Sequence, residues 1–121
     1  MKRILLIDDD PLFIECAAPE IAQQGYAVER LFDPRKAEEV IHRTRPAIVI
    51  TDEMMPYILG HELVARIRRS APEIPCILIS GVVESIPVEE IQGVTVISKS
   101  PCSTFCERVL RTIRDAIGYA Y

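Results

Sequence analysis

Residues 3–13 read RILLIDDDPLF. Four aliphatic residues run directly into three aspartates, and a proline follows. A short continuous aliphatic run suits a parallel strand covered on both faces. Like charges crowded at the end of such a strand repel one another, and desolvation adds to the cost. Water or a cation must therefore compensate them. Two further runs of the same kind follow, Ala47–Ile50 ahead of Thr51-Asp52 and Cys76–Ile79 ahead of Ser80-Gly81. The segments 26–32 (YAVERLF) and 94–98 (VTVIS) alternate apolar and polar residues, which suggests one-sided exposure and places them at the sheet edges.

Helical patterns fill the intervals. Asp10 can N-cap a helix that has Pro11 at its first position and ends near Gly25, with Pro19 expected to kink it. Asp33-Pro34 repeats this start signal, with Ala37, Val40 and Ile41 on one face. A third helix follows Gly60, facing inward with Leu63, Val64 and Ile67. The last spans about 103–117, with Phe105, Val109, Leu110, Ile113 and Ile117 at helical spacing and Thr104/Glu107 as its expected capping box. Between 82 and 92 the signal is weak, and only Pro87 suggests a short helix. Five βα units predict an α/β fold: a doubly wound, flavodoxin-like three-layer sandwich around a parallel five-stranded sheet of order 2-1-3-4-5.

The 121 residues fit one domain (1–121), long enough to bury roughly two-thirds of the surface its unfolded chain would expose. Net charge is −4, which argues against direct nucleic-acid binding, since a binder carries a basic stripe. The arginines at 66, 68, 69, 108, 111 and 114 read as solvated helix faces. No apolar run is long enough to span a bilayer, and the N-terminal run is too short for a signal peptide, so a cytoplasmic location is expected. There the four cysteines need not pair. Cys102 and Cys106 are spaced for one helix face but lack further metal ligands, while Cys16 and Cys76 read as small core residues.

In an open parallel sheet, function gathers beyond the carboxyl ends of the strands. Here those ends carry Asp8-Asp9, Thr51-Asp52, Ser80-Gly81 and Ser98-Lys99. Singly, each has an ordinary structural reading as a cap, a turn or a solvated lysine. Together they put carboxylates, a hydroxyl and an ammonium at one edge. Hard oxygen donors suit Mg²⁺, which would relieve the repulsion among the aspartates. An aspartate beside Mg²⁺ can act as a nucleophile towards phosphorus, with Lys99 and Ser80 stabilising the phosphoryl oxygens.

In ILLIDDDPLF, IVITDEMMP with Gly60 following, ILISG and VISK, the chain resembles the receiver domain of two-component response regulators over nearly its whole length. The resemblance implies that Asp52 accepts a phosphoryl group. Asp8 and Asp9 would bind Mg²⁺, helped by Asp52 and the backbone carbonyl of Met54. Ser80 would be the switch hydroxyl and Lys99 the phosphate-bridging lysine. It also implies a histidine kinase or histidine phosphotransfer protein as donor, a downstream protein target or a separate effector domain as output, no membrane contact, and possible homodimerisation through the last strand and helix. No effector domain is expected within these 121 residues.

Several positions depart from the family pattern. Val96 replaces the usual aromatic switch residue, Ser100 separates Lys99 from Pro101, Leu59 stands where Asp or Asn often precedes the glycine, and the segment from Ser80 to Val96 is short. An atypical output face with intact phosphorylation chemistry is expected. Met54 and Val82 are apolar and cannot position an attacking water, so slow phosphoryl loss is expected. Two alternatives stand beside this reading. One is an unphosphorylated receiver-shaped binding module. The other is a haloacid-dehalogenase-like phosphatase using Asp8, although no acidic pair beyond the lysine lies outside a helix to hold its metal.

Overall fold

The computed structural model describes residues 1–81, 86, 87, 89 and 92–121. The readings of a short helix near Pro87 and of Val82 beside the site fall in, or depend on, residues outside those described. Five strands form one parallel sheet: β1 (Arg3–Ile7), β2 (Ala27–Leu31), β3 (Ile48–Asp52), β4 (Cys76–Ser80) and β5 (Thr95–Ser98), in the order β2-β1-β3-β4-β5. The described helices are α1 (Pro11–Gln23), α2 (Ala37–Thr44), α3 (Gly60–Ser70) and α4 (Phe105–Ile117). The expected flavodoxin-like architecture and strand order are therefore observed.

Alternation along the three central strands divides the core in two. Ile4, Leu6, Ile48, Ile50, Ile77 and Ile79 face α1 and α4. Leu5, Ile7, Val49, Cys76 and Leu78 face α2 and α3. Both faces are covered, which is why these strands read as unbroken aliphatic runs. The edge strands β2 and β5 are only partly buried.

Local signals explain the helix starts. Asp10 accepts from the Leu12 N–H at 3.0 Å with Pro11 at the first position of α1, and the helix continues through Pro19 to Gln23. Asp33 caps a 3₁₀ turn, Pro34–Lys36, that runs into α2. Two expectations are corrected. Thr104 makes no capping bond at α4: its hydroxyl oxygen accepts from Arg108 Nε at 3.1 Å instead. Cys16 is exposed, because the buried stripe of α1 is Ile14, Ala17, Ala18 and Ile21, and Cys16 lies out of that phase. Cys76 is buried as expected, and burial pushes its thiol pKa up to about 11.

Candidate functional site

The carboxyl ends of β1 and β3 bring Asp8, Asp9 and Asp52 together, one carboxylate oxygen from each lying within 4.8 Å of the others. Asp8 is fully buried, Asp52 is nearly so, and Asp9 is exposed. One Asp8 oxygen accepts from the Asp10 N–H at 3.0 Å, while Asp8 Oδ2 is buried with no hydrogen-bond partner. Burial, reinforced by the charges of Asp52 and Asp9, pushes the Asp8 carboxyl pKa up to about 7, against the lowering effects of the Asp10 N–H and Lys99. Lys99, at the end of β5, reaches back to Asp52 Oδ1 at 2.8 Å.

A buried carboxylate with one orphaned oxygen, clustered with two more carboxylates, fits a hard divalent cation. The donor set is oxygen only, as suits Mg²⁺. Ser80 is buried at the end of β4, and its carbonyl accepts the Lys99 N–H at 2.9 Å, fixing the two strand ends side by side. Met54 follows β3 with its side chain exposed, so only its backbone is committed to the loop. Val96 is half-buried, in register with Leu78, and packs against the core cluster on the α2 and α3 face of the sheet.

Three features were missed in the sequence reading. Phe13 lies 5.0 Å below the Lys99 ammonium and packs on Phe105 with ring centroids 5.5 Å apart, giving the lysine an aromatic floor. Arg108, read as solvated, donates to the carbonyls of Ser98 (2.7 Å) and Pro101 (2.8 Å), bracing the Lys99-Ser100-Pro101 bend. Its spacing one turn past Thr104 was the available signal. The third is a buried Glu53–His61 pair behind Asp52, with Oε2 and Nδ1 2.6 Å apart.

Gly60 opens α3 against the end of β3. A Cβ there would press on the Asp52 carbonyl oxygen and lie 2.7 Å from Leu78 Cδ1 and 2.8 Å from Glu53 Cα. Two of these three neighbours are backbone atoms, which cannot turn aside. Gly60→Ala is therefore expected to cost about 3 kcal/mol or more, read as a lowered denaturation midpoint.

The sequence model of the response regulator receiver domain matches residues 4–99, and the chain belongs to that family. Among curated relatives, the chain is 33% identical over 79 residues to response regulator MprA of Mycolicibacterium vanbaalenii, covering 65% of this chain and 34% of that protein. It is 28% identical over 94 residues to transcriptional regulatory protein TctD of Salmonella typhimurium, covering 78% and 41%. The chain thus spans well under half the length of these relatives. Among solved structures, a receiver domain protein from Clostridium thermocellum superposes with TM-score 0.85 at 19% identity, covering 97% of this chain and 94% of that one. Response regulator TrrA of Thermotoga maritima, in complex with Mg²⁺–BeF, gives 0.82 at 24%, covering 93% and 99%. These structures share the fold.

Proposed function

We propose that this domain, residues 1–121, is a phosphorylation switch of a two-component system. Asp52 takes a phosphoryl group from the phosphohistidine of a histidine kinase or phosphotransfer protein. The observation that carries the reading is the arrangement around Asp52: a lysine ammonium at 2.8 Å and two further carboxylates whose oxygens lie within 4.8 Å. An Asp52 carboxylate oxygen attacks phosphorus, the P–N bond breaks, and the imidazole leaves with its electron pair and takes up a proton. The product is an acyl phosphate. Bound Mg²⁺, held by Asp8, Asp9, Asp52 and the Met54 carbonyl, would offset the charge of the incoming phosphoryl group. Lys99 and Ser80 would then engage the phosphoryl oxygens, biasing a two-state equilibrium that a protein target reads.

The phosphatase alternative is disfavoured because Asp8 is fully buried, whereas Asp52 is the carboxylate paired with Lys99. Cytoplasmic residence, where such donors work, belongs to the same proposal; among the described residues no helix is long and apolar enough to cross a membrane. The test is intact-protein mass spectrometry after incubation with acetyl phosphate. A single phosphoryl adduct that requires Mg²⁺ is expected. Its absence at saturating Mg²⁺ would favour a receiver-shaped binding module.

A further inference from the structure

We propose that Glu53 and His61 are positioning residues: a buried clasp that sets the β3–α3 loop and so the strength with which the acidic cluster holds Mg²⁺. The inference rests on the phosphorylation-switch reading and adds to it a determinant outside the acidic cluster itself.

Glu53 directly follows Asp52, and its N–H donates to the Ile79 carbonyl at 2.9 Å, extending the β3–β4 ladder by one residue. Its side chain closes the loop. Oε1 accepts the His61 N–H at 2.8 Å, and Oε2 lies 2.6 Å from His61 Nδ1. The Glu53 carbonyl accepts the Gly60 N–H at 2.8 Å. Residue 53 is thus tied to residues 60 and 61 through three contacts, and the six residues between them form a loop closed at its neck. Both side chains of the clasp are buried. The carboxylate also meets the first turn of α3, where the helix dipole favours an anion.

A purely structural role is a poor explanation for this choice of residues. Two apolar side chains of similar volume would fill a buried site at lower desolvation cost. A two-point hydrogen-bonded connection differs from them in fixing distance and direction. What it fixes lies next to the site, since the loop that follows Asp52 and Glu53 starts at Met54, whose carbonyl is proposed to help hold the ion. The loop also carries Tyr57 at φ 74°, a conformation that costs a bulky residue energy and persists only where the surroundings impose it. Without the clasp, that strain would be free to pull the Met54 carbonyl out of place.

The experiment compares Mg²⁺ binding by titration calorimetry in the native chain, Glu53→Gln and Glu53→Leu/His61→Leu. The amide of Glu53→Gln can still accept the His61 N–H and donate to Nδ1, so its affinity should stay within about twofold of native. The apolar pair keeps the volume and removes the clasp. It should remain folded by circular dichroism and bind Mg²⁺ about tenfold more weakly, the scale for groups that orient metal ligands. Native affinity in a folded double variant would overturn the clasp while leaving the switch reading intact. No Mg²⁺ binding by the native chain would overturn both. Should the double variant not fold, hydrogen exchange on the native chain decides. By reciprocity, Mg²⁺ must slow exchange of the His61 amide more than that of the β1 core amides. Equal slowing would overturn the clasp.

Discussion

Asp52→Asn should abolish phosphoryl uptake, lowering its rate by at least roughly a thousandfold, while leaving the fold in place. The amide has nearly the same shape but no anionic oxygen to attack phosphorus. The substitution breaks the ion pair with Lys99, yet that lysine is 37% exposed and can turn towards water. The lost pair should therefore cost no more than about 1 kcal/mol. Removing one of three clustered carboxylates also relieves repulsion, which offsets part of that loss. Mass spectrometry and a denaturation curve on the same preparation check both halves. An adduct at native rate in Asp52→Asn would move the nucleophile elsewhere.

The metal-free protein should lose stability as pH rises from about 4 to about 7, and Mg²⁺ should restore it. The sign follows from Asp8, whose pKa is about 7 in the folded chain against about 3.9 when unfolded. Below about pH 4 the group is protonated in both states and contributes nothing. Between the two values the unfolded chain sheds the proton and the folded chain keeps it, so stability falls as pH rises. Above about pH 7 the penalty is complete, on the order of 2–3 kcal/mol after allowing for water at the sheet edge. Mg²⁺ binds the ionised form, so its stabilising effect should be small near about pH 5, grow to about pH 8, and be accompanied by proton release. Denaturant titrations with chelator and with Mg²⁺, on the native chain and Asp8→Asn, isolate this group. An identical pH dependence in Asp8→Asn would contradict the assignment.

Much of this was legible in the sequence for a physical reason. Strands buried on both faces must be apolar throughout, so Ile4–Ile7, Ala47–Ile50 and Cys76–Ile79 announced a parallel sheet, and their register brought Asp8, Asp52 and Ser80 to one edge. Lys99 followed from the same convergence. Side chains whose role depends on a close approach were not legible. Glu53 and His61 are eight residues apart and meet only because Gly60 lets α3 lie against β3. Arg108 looked like a solvated cation because two of its acceptors are carbonyls, which leave no mark in a sequence; only its spacing from Thr104 pointed inward. Cys16 was misjudged from its residue type, whereas the phase of Ile14, Ala17 and Ile21 already pointed it outward. Thr104 offered a capping signal that Arg108 outcompeted.

The most direct test of the central claim is to locate the acyl phosphate chemically. The phosphorylated chain is reduced with borohydride, which converts an aspartyl phosphate to homoserine, and the peptides are mapped by mass spectrometry. Homoserine at position 52, formed only when Mg²⁺ was present during phosphorylation, is the predicted result. Homoserine at position 8, or none anywhere in a chain that carries phosphate, would contradict the account.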